Sequence, residues 1–327
     1  MKVTKFYSNK IIEEREKLGS DTGPLFNIVC NKTEMIYKYG VENDFAGDQK
    51  FSINENETII HKYEDRILVL ITEKCIFRCA YCFREKKLET MQVRVEAILE
   101  ELEQYISTGT EVKEIIVSGG DFMSLGDDKI SEILEKINSL GVPNIRLHTR
   151  AIVFQPALFT ERIIKLFVLY KVRLYFHIVH PYEICDEVSE KIREISSKVR
   201  CYNQFPLLRG VNDHTKVIKL LIEKLDNIRV QTLVMYIPDP INFLHKYRIS
   251  IQRVIKIKKE LNESSPSWMN AFRVVFDSEY GKVSVDNFMY SENSKSYFVH
   301  KDKIVEFPDI PKKLDVPQDI KKLLWRD

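Results

Sequence analysis

Short apolar segments alternate with longer amphipathic segments through the middle of the chain. Six segments have the apolar, β-branched and aromatic composition of strands, at residues 66–72, 114–118, 145–149, 173–178, 200–205 and 230–236. In the segments between them, apolar residues recur every three or four positions, at residues 95–106, 129–140, 158–169, 186–198, 215–225 and 251–261. This alternation predicts a parallel sheet with helices packed outside it.

Two architectures fit such a pattern, a doubly wound sheet and an open barrel. No Gly-x-Gly-x-x-Gly motif follows the first strand, so the sequence does not support a dinucleotide fold. Polar residues instead follow each strand, which is typical of barrels that bind ligands at the carboxyl ends of their strands. The predicted fold is therefore α/β, a partial (β/α)6 barrel of the TIM type.

The segments flanking the barrel have a different pattern. Residues 1–60 indicate a mixed N-terminal cap, and residues 61–262 the barrel itself. Residues 263–327 contain β-rich pieces such as FRVVFD, KVSV, SYFVHKD and KIVEF. We expect them to form a small C-terminal extension that closes the open side of the barrel, in one integrated unit.

Composition adds little to this interpretation. The formal net charge is +2, from 50 Lys and Arg against 48 Asp and Glu, and the basic residues are dispersed, so nucleic acid is not an expected partner. No apolar run approaches the ~18 residues that span a bilayer. The charged start lacks the apolar stretch of a signal peptide, and close cysteines without such a signal are typical of a reducing compartment. We expect a cytoplasmic protein.

The sequence ITEKCIFRCAYCFREKK contains three of the six cysteines, Cys75, Cys79 and Cys82, directly after the first predicted strand. Such spacing brings three thiolates to one point. A closed zinc site takes a fourth Cys or His, whereas a four-iron cluster with three thiolates leaves one iron open. Free cysteines without a shared role are usually scattered.

This loop resembles the signature of radical S-adenosylmethionine (SAM) enzymes, with an aromatic residue just before the third cysteine. The resemblance implies that the three cysteines bind a [4Fe-4S] cluster, that SAM binds its open iron, and that an electron donor such as flavodoxin or ferredoxin reduces it. A 5′-deoxyadenosyl radical then abstracts hydrogen from the substrate. The superfamily's glycine motif, which binds the methionine amino group of SAM, is similar to Ser118, Gly119, Gly120 and Asp121.

From about His61 to Asp286 the chain resembles the lysine 2,3-aminomutase family. The resemblance rests on HKYEDRILVLITEKC, VSGGD, HIVHPYEI and NQFPLLRGVND, in that order. It implies that Arg84 grips the carboxylate of an amino-acid substrate, with two parallel hydrogen bonds, and that Asp239 and Asp277 receive the distal cation of lysine, ornithine or arginine. It also implies SAM contacts from Arg150, His177 and Gln204.

The resemblance further implies pyridoxal 5′-phosphate (PLP), joined to Lys282 and held with the help of Lys62, Tyr63 and Arg66. Here the family pattern changes: the glycine run before the lysine is replaced by a shorter loop with Glu279 and Tyr280. We expect that loop to hinder PLP and its Glu to repel a phosphate. Relatives often bind zinc at a subunit interface through C-terminal cysteines, and this chain has no cysteine after Cys201. We therefore expect that zinc site to be absent, so that any homo-oligomer can differ from that of the relatives.

Three hypotheses follow. The first is a PLP-dependent 2,3-aminomutase of a basic amino acid, an isomerase. The second is a PLP-independent radical SAM mutase, epimerase, dehydrogenase or lyase on an amino-acid substrate. The third is a non-catalytic zinc or cluster module, which needs a fourth metal ligand and a basic surface that the sequence does not offer.

Overall fold

A computed structural model describes residues 2–20, 22–30, 41 and 44–326. Nine strands form one sheet in chain order. They are β1 (Ile59–Tyr63), β2 (Arg66–Thr72), β3 (Glu114–Gly119), β4 (Asn144–Thr149), β5 (Arg173–Phe176), β6 (Arg200–Pro206), β7 (Gln231–Tyr236), β8 (Arg273–Ser278) and β9 (Gly281–Ser284).

Strands β2 to β8 are parallel, while β1 and β9 pair antiparallel at the two ends of the order. No ladder joins β1 to β9 in the part of the chain described. The predicted α/β partial barrel is confirmed, with one more parallel strand than the six expected. The additional strand is β8, which follows two helices and was assigned to the C-terminal extension.

The helices lie outside this sheet. They are α1 (Lys5–Leu18), α2 (Pro24–Val29), α3 (Glu85–Thr90), α4 (Val95–Ser107), α5 (Asp127–Ser139), α6 (Ala151–Phe154), α7 (Glu161–Leu169), α8 (Asp186–Ser196), α9 (Thr215–Asp226), α10 (Ile251–Ser264), α11 (Ser267–Asn270) and α12 (Ile320–Leu323). No helix of the described residues is long and apolar enough to cross a membrane.

The periodicity of the helices and strands indicates which of their side chains form the core. In α5 the apolar residues three or four positions apart are all buried, namely Ile130, Ile133, Leu134 and Ile137. Neighbouring strands align Val117 with Leu147 and Leu147 with Leu174, which are also buried. The alternate residues of β4, Arg146 and His148, are only half-buried on the opposite face. The apolar face of the sheet is therefore turned to the helices and the polar face to the barrel interior.

The C-terminal part adds a second, antiparallel sheet of three strands, β10 (Phe288–Glu292), β11 (Lys295–His300) and β12 (Lys303–Pro308). Its buried Phe298 and Phe307 pack on Phe276 of β8, with ring centroids 4.9 and 4.7 Å away. This sheet therefore packs on the last parallel strand of the barrel.

The chain ends meet each other beside the barrel. Trp325 donates from Nε1 to Glu14 Oε1 of α1 at 3.1 Å, and the Leu323 carbonyl lies 3.1 Å from His180 Nε2. The Glu14 carboxylate also accepts from the backbone N–H groups of Leu25 and Phe26. Residues near both ends thus brace the loop after β5.

Candidate active site

The cysteine loop follows β2 and is held by segments distant in sequence. The backbone N–H of Arg78 donates to the Lys2 carbonyl, and that of Ala80 to the Ile28 carbonyl, each at 2.8 Å. The Phe77 ring stacks on Phe154 with centroids 3.9 Å apart, and Tyr7 stacks on the same Phe154 at 4.3 Å. The N-terminal segment, predicted only as a cap, therefore fixes the position of the loop.

The three cysteine thiols lie close enough to affect one another. Burial raises the pKa of Cys75, and the neighbouring Asp121, Cys79 and Cys82 raise it further. Burial also raises the pKa of Cys79 to about 12, although the Arg150 guanidinium opposes the shift. Three thiols grouped on one loop beside a cation form a donor set that fits an iron–sulfur cluster. Within the described ranges, no three His, Cys, Asp or Glu side chains close around a single metal ion.

The Ser-Gly-Gly-Asp motif at the end of β3 packs directly on the start of the cysteine loop. A Cβ at Gly119 would lie 2.3 Å from the Thr72 carbonyl oxygen, and one at Gly120 would lie 2.2 Å from that of Lys74. Gly119 also has a φ of +119°. The close approach that requires glycine here is made by the protein's own backbone.

The buried Asp121 side chain links the loop after β3 to the end of β4. Its carboxylate accepts from Thr149 Oγ1 at 2.8 Å and from the backbone N–H of Arg150 and Met123 at 2.8 and 3.0 Å. Burial raises the pKa of Asp121 to about 6, because these hydrogen bonds only partly offset desolvation. Ser118 is also buried, and its Oγ accepts from Arg84 Nη1 at 3.2 Å.

Arg150 joins the cysteine loop to the loop after β5. Its Nη2 donates to Glu183 Oε1 at 2.6 Å, and its Nη1 donates to the His177 carbonyl at 2.6 Å and to the Tyr81 hydroxyl. Burial alone would lower the pKa of Arg150, but its interactions with Glu183, Tyr81, Cys79 and Tyr7 together outweigh burial and raise the pKa. Arg150 Nε is buried and has no hydrogen-bond partner among the described residues. Most of the guanidinium thus binds protein groups.

His177 and Gln204 lie together at the carboxyl ends of β5 and β6. Gln204 Nε2 lies 2.8 Å from His177 Nε2, and Gln204 Oε1 accepts from Arg146 Nη2 at 3.0 Å. Arg146 also donates from Nε to His148 at 2.7 Å. Burial lowers the pKa of His177 to about 3, so its ring is neutral at ordinary pH. His177 and Gln204 therefore offer uncharged polar atoms inside the barrel, beside the Arg146 guanidinium.

The opposite side of the barrel mouth is acidic. Burial raises the pKa of Asp239 to about 8, and the nearby Asp277 and Asp48 carboxylates add to the shift while Arg84 opposes it. No described residue forms a hydrogen bond or ion pair with the Asp239 side chain. Burial would also raise the pKa of Asp277, but Lys282 and, more weakly, Arg84 keep it below its ordinary value. The three residues predicted to bind the substrate, Arg84, Asp239 and Asp277, therefore lie near one another and near Lys282.

Lys282 lies on β9, and its Nζ is 2.8 Å from Asp277 Oδ1. Burial would lower the pKa of Lys282, but Asp277 together with Tyr236 and Tyr63 outweighs burial, and the pKa is raised. The ammonium also lies over the rings of Tyr63 and Tyr236, at 5.6 and 5.4 Å from their centroids. The amine is thus protonated and held by Asp277.

The residues beside Lys282 fit PLP on two observations. The Tyr63 hydroxyl is buried and has no hydrogen-bond partner among the described residues. Gly281, with a φ of +108°, leaves space in which a Cβ would lie 3.4 Å from the Tyr63 ring. Lys62 binds Asp48 at 3.3 Å, and Arg66 stacks on the Tyr63 ring at 4.1 Å, so both cations of the β1–β2 hairpin are close by.

In the structure, the two side chains of the shortened loop contact surface lysines. Glu279 pairs with Lys50, and the ring of Tyr280 lies 4.2 Å from the ammonium of Lys303. Hydrogen bonding to Lys50 also lowers the pKa of Glu279. The Glu279 charge is therefore partly compensated at the outer surface.

Sequence reasoning missed the residues that brace the site, chiefly Tyr7, Phe154, Glu183, Arg146 and His148. Arg146 and His148 alternate with buried residues in β4, a pattern that could have indicated their inward direction. Tyr7, Phe154 and Glu183 meet only through contacts between distant segments, and no local pattern indicates them.

A seven-strand parallel barrel with three thiols in the loop after its first parallel strand defines a class of iron–sulfur barrel enzymes. The family model described as Radical SAM superfamily matches residues 69–239, and the chain belongs to that superfamily. Membership implies SAM and a [4Fe-4S] cluster. The solved structure of Streptococcus suis SuiB bound to S-adenosylmethionine has a TM-score of 0.50 at 10% identity, covering 65% of this chain and 50% of that one. That likeness shows the fold alone.

Among curated proteins, the chain is similar to aminomutases. It is 27% identical to L-lysine 2,3-aminomutase of Methanococcus maripaludis, over 80% of this chain and 60% of that protein. It is 26% identical to the Haemophilus influenzae L-lysine 2,3-aminomutase, over 79% and 77%. It is 28% identical to glutamate 2,3-aminomutase of Clostridioides difficile, over 62% and 49%. The resemblance to the lysine 2,3-aminomutase family is confirmed, and the chain spans less than two thirds of two of these relatives.

Proposed function

We propose that this protein is a radical SAM isomerase that moves the α-amino group of a basic amino acid to the β-carbon, as a PLP-dependent 2,3-aminomutase. The observation that carries the proposal is the arrangement of charge at the barrel mouth. One guanidinium, Arg84, faces two carboxylates, Asp239 and Asp277, and interacts electrostatically with both. An amino acid with a carboxylate at one end and a cation at the other complements this arrangement.

Each end of the substrate has its own partner in this proposal. The Arg84 guanidinium donates to the α-carboxylate and orients it, while Ser118 accepts a hydrogen bond from Arg84 and limits its movement. Asp239 and Asp277 accept from the distal cation. Glutamate would place a third carboxylate beside these two, so we expect it to be rejected.

The cofactors would occupy the opposite sides of this space. Cys75, Cys79 and Cys82 would bind the cluster, and the Ser118–Asp121 motif, Arg150, His177 and Gln204 would contact SAM or hold the groups that do. Lys282, Tyr63, Lys62 and Arg66 would hold PLP. When bound, the cluster and SAM supply the hydrogen-abstracting radical, and PLP supplies stabilisation of the migrating nitrogen.

The remaining groups keep the space ordered. The neutral His177 and Gln204 supply hydrogen bonds without adding charge near the reacting carbon. The cysteine loop shields Cys79, which is 8% exposed, more than Cys75 and Cys82, which are half-buried. Exclusion of water protects a reactive radical from side reactions.

A PLP-independent reaction on the same substrate is the second candidate. It is favoured by the Lys282–Asp277 ion pair, since a protonated lysine is not the nucleophilic form. In this candidate Lys282 has no covalent role and the reaction is an epimerisation, dehydrogenation, cleavage or other rearrangement. The two candidates differ in whether Lys282 bonds to PLP.

The test begins with anaerobically reconstituted enzyme, SAM, PLP and a reductant. Lysine, ornithine, arginine and glutamate, each labelled at the α-nitrogen, are the substrates, and NMR identifies the carbon that bears the label afterwards. We expect the label on the β-carbon of a basic amino acid. Borohydride should also trap PLP on Lys282, and not in Lys282→Ala. SAM cleavage without either result would overturn the aminomutase and leave the second candidate.

A further inference from the structure

The Lys282–Asp277 ion pair is fixed by the backbone. Asp277 of β8 and Lys282 of β9 are cross-strand partners, and the next pair is Ser278 with Gly281. Ser278 Oγ donates to the Gly281 carbonyl at 2.8 Å and accepts from the Tyr280 N–H at 3.2 Å. Because the turn between the strands is this short, strand register keeps the ammonium beside the carboxylate.

The Lys282 ammonium has other neighbours besides Asp277. Each side chain of the ion pair is about a quarter exposed, at 25% and 28%. The ammonium also lies 5.6 Å from the centroid of the Tyr63 ring, and the Tyr63 hydroxyl is buried and has no partner among the described residues. Strand register holds the two backbones in place but leaves the Lys282 side chain its rotatable bonds, so a ligand beside Tyr63 can take the Lys282 nitrogen from Asp277.

Asp239 differs from Asp277 in having no ion-pair partner among the described residues. Its carboxylate lies near Asp277, Asp48 and Asp44, Arg84 opposes their effect, and Arg248 interacts with it electrostatically. Lys282 already neutralises Asp277. Of the two carboxylates that would receive a distal cation, one is therefore available and the other is occupied by the protein itself.

We propose that Lys282 competes with the distal cation of the substrate for Asp277, and that bonding of Lys282 to PLP ends this competition. The inference rests on the proposed function. The Lys282 ammonium first gives its proton to solvent, and the free amine then adds to the aldehyde carbon of PLP with loss of one water molecule, so the nitrogen is no longer an ammonium paired with Asp277. Asp277 then joins Asp239 in binding the substrate.

Coupling between PLP and substrate follows from this competition. PLP-free enzyme binds a basic amino acid through Arg84 and Asp239, and PLP-loaded enzyme adds Asp277 when the substrate first binds, before the substrate nitrogen replaces Lys282 on PLP. Because linkage is reciprocal, a basic amino acid also favours PLP loading. The short hairpin thus makes occupation of the cofactor site a condition for full recognition of the distal cation.

The experiment measures binding and needs no turnover. Cluster-reconstituted enzyme with SAM and without PLP or reductant is titrated calorimetrically with lysine and with norleucine, which lacks the distal cation. The variants are Lys282→Met, which removes the competitor, Lys282→Arg, which keeps a cation, and the double variant Lys282→Met with Asp277→Asn. Iron content and circular dichroism establish that each variant is folded and loaded.

We expect Lys282→Met to bind lysine about 10-fold more tightly than the unsubstituted protein, the effect of one added charged hydrogen bond. Lys282→Arg should bind as the unsubstituted protein does, the double variant should lose the gain, and norleucine should bind equally throughout. Equal or weaker lysine binding by Lys282→Met would overturn the competition alone. Failure of every variant to bind any basic amino acid would instead overturn the proposed function, and the competition with it.

Discussion

The two sides of the candidate site are built differently. The cysteine loop contacts the N-terminal segment, the Arg150–Glu183 pair and the Phe77–Phe154–Tyr7 stack. The β8–β9 hairpin has a short turn and a single ion pair facing the site, and Asp239 beside it has no side-chain partner among the described residues. At the cysteine-loop side the Arg150 and Glu183 charges are paired with each other, whereas at the hairpin side the Asp239 carboxylate and the Tyr63 hydroxyl have no hydrogen-bond partner among the described residues.

This difference indicates two kinds of task. A cluster must stay in one position relative to the rest of the barrel, so its loop is held by distant segments and buried polar bonds. A substrate must enter and leave, so the carboxylates that recognise it cannot be fully satisfied by the protein. We therefore expect substitutions at the cysteine loop to reduce stability and iron content, and substitutions at the hairpin to reduce recognition.

The largest effect should come from Gly120→Ala. The added Cβ would lie 2.2 Å from the Lys74 carbonyl oxygen in the cysteine loop, and backbone cannot move away cheaply. We expect loss of most bound iron and of SAM cleavage, measured by iron assay and by 5′-deoxyadenosine formation. Gly141→Ala is the control: its φ of +74° strains an alanine, but no atom lies within 4 Å of the added Cβ, so iron content should be kept. Full iron content in Gly120→Ala would contradict this account of the glycine motif.

Glu183→Gln should come next. Glu183 is fully buried and accepts from Arg150, from Tyr7 and from the backbone of Val179 and His180. Removing its charge leaves the buried guanidinium unpaired, which costs about 3–5 kcal/mol. Denaturant unfolding measures the loss.

The control for Glu183→Gln is Asp128→Asn, which breaks the exposed pair with Arg162. That change should cost no more than about 1 kcal/mol. Similar losses in the two variants would mean that the buried pair does not brace the cysteine loop.

Asp239→Asn should affect binding more than stability. It removes an acceptor for the distal cation, so the affinity for a basic amino acid should fall about 10-fold to 100-fold. Calorimetric titration of PLP-loaded enzyme measures the affinity, and thermal unfolding should be unchanged or slightly improved. Glu279→Gln, whose carboxylate faces Lys50, is the matched control and should bind normally. A large stability loss in Asp239→Asn would erase the contrast between the two sides of the site.

The smallest effect is a pH dependence. Without a bound cation, burial and the neighbouring Asp277 and Asp48 raise the pKa of Asp239 to about 8 in the folded chain, whereas an unfolded Asp loses its proton near pH ~4. The folded state binds the extra proton, so this residue makes the protein less stable as pH rises through that interval. The difference between the denaturation midpoints at pH ~6 and pH ~8 should therefore be smaller in Asp239→Asn than in the unsubstituted protein. An unchanged difference would exclude Asp239 as its source.

The sequence predicted most of the barrel because its helices and strands are locally periodic. Strand β2 begins and ends where the pattern placed it, and α7 began three residues later than predicted, at Glu161. The seventh parallel strand was not predicted because the pairing of Arg273–Ser278 with β7 depends on a contact across two helices. Sheet order is a tertiary property that periodicity alone does not encode.

In the candidate site too, local patterns were predictable from the sequence and contacts between distant segments were not. Cys75, Cys79, Cys82 and the glycine motif follow directly from short spacings in the sequence. The Asp277–Lys282 ion pair depends on the register of the hairpin. The Arg150–Glu183 ion pair forms because two loops meet. The sequence does not show which cation pairs with which carboxylate. These ion pairs are seen only in the folded chain.

The most direct test of the central claim is hydrogen transfer from a basic amino acid held between Arg84 and the two carboxylates. Enzyme with cluster, SAM and PLP is reduced in the presence of lysine deuterated at the β-carbon, and 5′-deoxyadenosine and SAM are examined by mass spectrometry. We predict deuterium in the adenosyl group, and its loss in Arg84→Met. Cleavage of SAM with no deuterium acquired from lysine, ornithine or arginine would contradict the account.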